Sequence, residues 1–256
     1  MAAAVCLIVR VRGQGMKVLI SPISTAEAVV AWECGTNIID IKNINEGSLG
    51  ASFPWIIREV IARINDPKVV FSATLGDLPH KPGTASLAAL GAVSSGVKYV
   101  KAGLHGSKDV AEGVELMSAV VRTCKDFDPS VTVVTAGYAD YQRFGGLSPQ
   151  QLVEIAAQSK SDMVMVDTYI KDGKSLFDAL NEQQLTEFVQ QAHVKGLKVA
   201  LAGSVRAEHL ELLARIGADV VGVRGAVCSG YDRGTTIDPL KAEQFIKAAN
   251  AIAVAQ

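Results

Sequence analysis

The chain has 256 residues, of which 49% are hydrophobic and 20% charged. An apolar fraction of that size excludes an intrinsically disordered chain. Lys and Arg number 25 against 26 Asp and Glu, so the formal charge is −1, which argues against a general nucleic-acid binder.

The first fifteen residues, MAAAVCLIVRVRGQG, carry nine uncharged, largely apolar residues before Arg10. That run is too short to span a bilayer and has no basic leading segment. Residues 1–15 are therefore expected to be an extension outside the fold, with 16–256 as one catalytic domain; an added strand or helix at the bottom of the fold is the alternative. No other segment reads as membrane-spanning. A cytoplasmic location without a membrane partner is expected.

From Lys17 onward, short β-branched runs recur. They are KVLIS (17–21), IIDIK (38–42), VVFSAT (69–74), KYVKA (98–102), VTVVTA (131–136), DMVMVD (162–167), KVALA (198–202) and DVVGVR (219–224). Most follow one another at roughly thirty residues, the length of one βα unit. Near-continuous apolar runs suit strands covered on both faces. Helix signals lie between them. Ser24-x-x-Glu27 reads as a capping box with Gly35 as its stop, and Ser148-Pro149-x-Gln151 reads as N-cap, N1 and N3. Residues 147–160 read as an ordinary surface helix. Leu210, Leu213 and Ile216 share one helical face, which Gly217 ends. Eight alternating units without a linker predict an α/β fold, a single (β/α)8 TIM barrel. An open doubly wound sheet is the alternative, and no GxGxxG follows the first strand.

In a barrel of this kind, chemistry belongs at the C-terminal ends of the strands. Strand two ends in Asp40-Ile41-Lys42-Asn43, and the period of two puts Asp40 and Lys42 on one side. Strand four ends with Lys101. Strand six ends with Asp167, and Lys171 follows. Strand three is followed by Asp77 in a predicted loop, 76–84. Burial and neighbouring cations depress a lysine's pKa and expose a neutral amine. Such an amine attacks a carbonyl to form a Schiff base, while a second Lys and a carboxylate move protons. A single Asp-x-Lys is more often a structural ion pair, and Lys98 reads as a solvated strand-start residue. The signal comes from the set of three lysines and two carboxylates.

Strands seven and eight end in Gly203-Ser204 and Arg224-Gly225. Loops at these positions commonly cradle phosphate. Both glycines let backbone N–H groups approach an anion, Ser204 is placed to donate at a helix N-terminus, and Arg224 is suited to pair with phosphate. A plain turn with an N-cap is the bland alternative. The loop 45–55 after strand two, rich in Gly and Ser with two aromatics, suits a lid or an ordinary connector. His80 and Lys81 suit either an anionic substrate or solvent. His105 is weak evidence for acid–base work, and His193 and His209 are given no role. Cys6, Cys34, Cys124 and Cys228 form no C-x-x-C pair and read as idle thiols, Cys228 being near the predicted rim. No metal-ligand spacing is present, so no metal and no cofactor are expected.

The segments IIDIKNINEGSLGASFPW, SATLGDLPHKPGT, YVKAGL, AGYAD, VDTYIKDGKSLFD, ALAGS and VGVRGA resemble the (5-formylfuran-3-yl)methyl phosphate synthases, also called 4-(hydroxymethyl)-2-furancarboxaldehyde-phosphate synthases. The resemblance runs from Met16 to about Asp238. It implies a barrel lyase that condenses two glyceraldehyde 3-phosphate molecules into a furan aldehyde phosphate, with loss of phosphate and water. That product is the furan precursor of methanofuran and of the related cofactor of C1-oxidising bacteria. The resemblance places the Schiff-base lysine on Lys42, the proton-transferring lysine on Lys101, and further site positions on Asp40, Asp167 and Lys171. Tyr169 departs from the small residue expected there. Three other readings remain: a conventional phosphosugar aldolase, a metal-dependent hexulose-phosphate-type lyase with a D-x-K-x-x-D signature, and a non-catalytic phosphometabolite binder. In the second, Asn45 stands where the last Asp belongs. A homo-oligomer is left open.

Overall fold

β1 (Lys17–Ile20) pairs in parallel with β2 (Ile38–Ile41) on one side and β8 (Val220–Val223) on the other, which closes the sheet on itself. The computed structural model describes residues 15–254. Between those strands run β3 (Val70–Pro79), β4 (Tyr99–Gly106), β5 (Thr132–Tyr138), β6 (Met163–Asp167) and β7 (Lys198–Leu201), every neighbour parallel and in sequence order. The expected (β/α)8 barrel is the observed fold. Of the expected extension, residues 1–14 lie outside the described part.

The helices are α1 (Thr25–Glu33), α2 (Pro54–Ile64), α3 (Pro82–Ser94), α4 (Val110–Phe127), α5 (Pro149–Gln158), α6 (Leu176–Ala179), α7 (Glu182–Val194), α8 (Leu210–Ile216) and α9 (Pro239–Val254). Strand alternation divides the apolar residues into two cores. Ile39, Val100, Val133, Val164, Val199 and Val221 face outward under the helices. Leu19, Ile38, Val134, Met163, Met165 and Ala200 face inward and fill the barrel. On β2 the same alternation turns Ile38, Asp40 and Lys42 inward, so polar groups follow apolar filling toward the C-terminal mouth.

Helix caps follow the local sequence, with one change. Ser148 and Gln151 form the reciprocal box expected of them. At α1 only half of the box exists. The Ser24 hydroxyl accepts from the Glu27 N–H at 3.2 Å, but the Glu27 carboxylate reaches past the cap to the Ile23 N–H at 2.9 Å. Helix α5 is the surface helix expected there, burying Leu152, Val153, Ile155 and Ala156 and exposing Gln150, Glu154 and Gln158. The predicted loop 76–84 is partly strand. β3 continues through Pro79 by shifting register against β4 near Asp77, with Gly76 at φ +105° supplying the irregularity.

Candidate active site

Asp40 anchors the floor of the mouth. It is fully buried and accepts hydrogen bonds from Ser72 at 2.8 Å, Ser21 at 3.1 Å and Lys101 Nζ at 2.6 Å. β-Pairing sets this geometry, since Asp40 stands beside Ser72 and Thr74 beside Lys101. Burial alone would push the Asp40 carboxyl up. Lys101 and Lys42 overrule it, with hydrogen bonds from Lys101 and Ser72, and hold it below the ordinary carboxylate range.

A second pair forms at β6. Lys171 Nζ donates to Asp167 Oδ1 at 2.7 Å and to the Thr168 hydroxyl at 3.1 Å. Burial again works against the Asp167 charge, but Lys171 and Lys42, with hydrogen bonds from Lys171 and the Thr168 N–H, bring its pKa to about 2.

Lys42 lies between the two pairs and belongs to neither. Its Nζ donates to the Ser48 carbonyl at 3.3 Å, and no carboxylate oxygen lies within ion-pair distance among the described residues. Desolvation lowers its pKa to about 8; Asp167 and Asp40 pull the other way, while Lys101 and Lys171 reinforce the drop. The charge count agrees. Three lysines against two carboxylates leave one excess positive charge, and losing the Lys42 proton neutralises the group. The arrangement presents a buried amine that loses its proton far more readily than an ordinary lysine, at a pKa of about 8, with charged groups on either side able to give and take protons.

A cavity of about 260 Å³ opens above these residues, lined by Asp40, Lys42, Asp167 and Lys171 and by the loops after β7 and β8. Gly203, Ser204, Arg224 and Gly225 all line it, as expected, but two of them do so differently. Ser204 is not a helix N-cap. It sits in the left-handed region at φ +50°, ahead of a 3-10 turn that begins at Ala207. Arg224 is not free to hold phosphate. Its guanidinium donates to Glu27 Oε2 at 2.7 Å and Oε1 at 3.2 Å and to the carbonyls of Ser21, Arg233 and Thr235. All five N–H donors are used inside the protein. Gly203 has a steric reason to be glycine, since a Cβ there would come within 2.9 Å of Thr168 Cγ2 and 3.0 Å of its backbone nitrogen.

The sequence reading missed Arg233. It lines the same cavity, is half-buried, and makes no side-chain hydrogen bond or ion pair among the described residues. Desolvation lowers its pKa, and the Asp167 charge opposes that shift. The signal for it lay in the backbone. Arg224 Nε donates to the Arg233 carbonyl at 2.7 Å, so the Arg224–Glu27 pair holds the loop from which Arg233 projects.

Other expected positions fall elsewhere. His80 pairs with Glu115 at 3.1 Å, Lys81 is exposed, and Lys98 pairs with Asp128 at a solvated strand start. His193 bonds Asp219 at 2.8 Å near the start of β8, and His209 packs on Phe177. His105 stacks on Tyr169, centroids 4.0 Å apart, within a cluster that includes Tyr138 and Phe144. Tyr169 thus fills an aromatic cluster where a small residue was expected. Cys228 is buried, and burial raises its thiol pKa, so it is not a reactive rim thiol. Among the described residues no group of His, Cys, Asp and Glu is arranged to hold a metal, and no helix is long and apolar enough to cross a membrane.

Fold and site define a (β/α)8 barrel built around a desolvated lysine at its C-terminal mouth. Solved barrels share the architecture alone: 3-hexulose-6-phosphate synthase (TM-score 0.63, 18% identity, 91% of this chain and 99% of that one) and phosphoribosyl anthranilate isomerase from Thermus thermophilus (TM-score 0.61, 15% identity, 92% and 99%). The chain belongs to the 4-HFC-P synthase family, whose model matches residues 18–246. Curated relatives are named (5-formylfuran-3-yl)methyl phosphate synthase. The one from Archaeoglobus fulgidus is 51% identical over 93% of this chain and 99% of its own length. The one from Methanosarcina acetivorans is 49% identical over 90% and 98%, and that from Methanocaldococcus jannaschii 52% over 85% and 92%.

Proposed function

We propose that the protein is a class I aldolase-like carbon–oxygen lyase that condenses two molecules of glyceraldehyde 3-phosphate into (5-formylfuran-3-yl)methyl phosphate. The product serves methanofuran or methylofuran biosynthesis, in the cytoplasm and without a cofactor. The observation that carries this reading is the Lys42 amine, buried between the Asp40–Lys101 and Asp167–Lys171 pairs and in contact with neither carboxylate.

Lys42 condenses with the carbonyl of one triose phosphate and releases water, giving an iminium whose positive charge acidifies the adjacent C–H. The Asp167 carboxylate, beside Lys171 on the cavity wall, takes that proton to form the enamine, and Lys101 beside Asp40 is the second proton carrier. The enamine expels the phosphate from C3 of the first triose, which makes C3 the nucleophile. A proton shift from C2 to C1 turns the aldehyde of the second triose phosphate into a ketone, and C3 attacks its C2 carbonyl. That C2 becomes the ring carbon bearing CH2–O–phosphate. Ring closure and loss of water follow, and hydrolysis of the imine returns the free lysine. Atom balance requires one phosphate and two waters to leave per furan. The triose phosphate group is held by the loops bearing Gly203, Ser204 and Gly225, with Arg233 in the role first expected of Arg224.

Incubation with glyceraldehyde 3-phosphate, with and without borohydride, tests this. The expected results are a product absorbing in the near ultraviolet, free phosphate, and a reduced adduct mapped to Lys42. Furan formation with Lys42 unmodified under borohydride sinks the Schiff-base assignment. Adduct formation without furan leaves a conventional aldolase.

A further inference from the structure

The segment after β2 turns back over the barrel mouth and ends against Lys42. Following a 3-10 turn at Ile44–Glu46, Gly47 adopts φ +124°, and Ser48, Leu49 and Gly50 run buried. The return is tight. The Gly50 carbonyl accepts from the Asn43 N–H at 3.0 Å, and a Cβ on Gly50 would lie 2.1 Å from the Asn43 carbonyl oxygen. Only glycine closes the loop this way. Leu49 drops into the inward-facing apolar cluster with Tyr138 and Met165, which holds the segment down.

Polar contacts fasten it at three further points. Ser48 Oγ donates to the Thr168 carbonyl at 3.0 Å, beside Asp167. Thr74 Oγ1 donates to the Gly50 carbonyl at 2.6 Å. The Leu49 N–H reaches an Asp77 oxygen at 3.4 Å, and Asp77 also accepts the Tyr138 hydroxyl. Room for the Asp77 carboxylate comes from two glycines. A Cβ on Gly47 or Gly103 would lie 2.8 or 2.5 Å from its oxygens. No cation pairs with Asp77 among the described residues.

What this strap delivers is the Ser48 carbonyl, which accepts from Lys42 Nζ at 3.3 Å. A neutral primary amine has two N–H groups and one lone pair. Holding one N–H fixes rotation about the terminal C–N bond and so decides where the lone pair points. A carbonyl does this without the full negative charge of a carboxylate, which would hold the proton on the amine.

We propose that the Gly47–Gly50 strap aims the Lys42 amine, and that Ser48, Thr74 and Asp77 are positioning residues that act through it. The proposal deepens the reading of Lys42 as nucleophile and rests on it for the effect on turnover, but not for the effect on the amine itself.

Thr74→Val keeps the side-chain volume and leaves the Gly50 carbonyl its bond from Asn43. Ser48→Ala keeps the Ser48 carbonyl but frees it from Thr168. Each is expected to lower kcat about tenfold or more with KM for glyceraldehyde 3-phosphate changed less than about twofold, because the phosphate loops lie elsewhere on the rim. A second readout uses no substrate. Reductive methylation with formaldehyde, mapped by mass, should label Lys42 at least about fivefold more readily relative to Lys101, the internal reporter of global opening. Unchanged kcat with an unchanged labelling ratio in both variants overturns the strap, as does a change in KM alone. A wild-type enzyme that methylates normally but gives no substrate adduct on Lys42 overturns the Schiff-base reading instead, and the labelling ratio then decides the strap by itself. Thermal unfolding identifies a variant that fails to fold; Thr74→Val, the milder change, then carries the test.

Discussion

Arg224 and Glu27 form a buried ion pair, 2.7 Å from Nη1 to Oε2, that joins the loop after β8 to the first turn of α1. Both side chains are almost fully excluded from solvent, and the remaining donors of Arg224 end on three backbone carbonyls. The pair seals the barrel where its last strand meets its first.

Breaking it is expected to be costly. Removing one partner of a buried pair leaves an uncompensated charge, worth about 3–5 kcal/mol. Glu27→Gln should therefore lower stability by roughly that amount in urea unfolding. An unchanged midpoint contradicts the structural role and reopens Arg224 as a ligand-binding residue.

Arg233 is expected to respond in the opposite manner. It has no partner to strand, so Arg233→Ala should shift stability by no more than about 0.5 kcal/mol. If its guanidinium meets the substrate phosphate, KM should rise about 10- to 100-fold, the equivalent of a lost charge-assisted hydrogen bond. Steady-state kinetics at constant salt measures this. A KM within about twofold of wild type removes Arg233 from the phosphate site.

The two arginines show where sequence reading succeeds and stops. The eight strands were legible because near-continuous β-branched runs recur about every thirty residues, and the lysine set was legible because Lys42 and Asp167 stand at strand ends. Lys101, expected at the end of its strand, is instead the third residue of β4, which runs on to Gly106. It reaches the site because Thr74 beside it pairs β4 with the strand next to β2. Arg224 ends a strand too, and nothing in its neighbours revealed that Glu27, 197 residues away, would occupy it. Glu27 was read as half of a capping box, a local role that hid its distant partner. Arg233 lies nine residues beyond Arg224 in an irregular loop, where no periodicity assigns a direction to a side chain. The strap was read as a lid or a connector because its fastenings come from β3 and β6.

Lys42 is expected to reduce the stability of the fold. Its pKa is lowered from the ordinary lysine value to about 8, so the unfolded chain holds a proton there that the folded chain releases. Between about pH 8 and the unfolded lysine value near 10.4, stability from this group rises with pH; below that window the penalty is complete. Lys42→Met keeps the volume and removes the charge. At pH 7 it should abolish the borohydride adduct and raise stability by about 1–3 kcal/mol. A destabilised Lys42→Met protein shows that the amine is held by attraction rather than tolerated.

The same amine sets the pH dependence of turnover, and the groups facing it give that dependence a direction. Lys42 faces Asp40 and Lys101 on one side and Asp167 and Lys171 on the other. With a pKa of about 8, roughly a tenth of Lys42 is neutral at pH 7 and roughly nine tenths at pH 9. Single-turnover adduct formation should rise about tenfold over that interval and flatten above it. Lys171→Gln removes a like charge, so its midpoint should move to higher pH. Asp167→Asn removes the opposite charge that contributes most to keeping the proton on Lys42, so its midpoint should move to lower pH, even as the loss of a proton carrier slows the reaction. Opposite shifts from two residues joined at 2.7 Å are hard to produce by a general disturbance of the site, which would move both variants the same way. Midpoints that stay fixed in both variants place the titrating group somewhere other than Lys42.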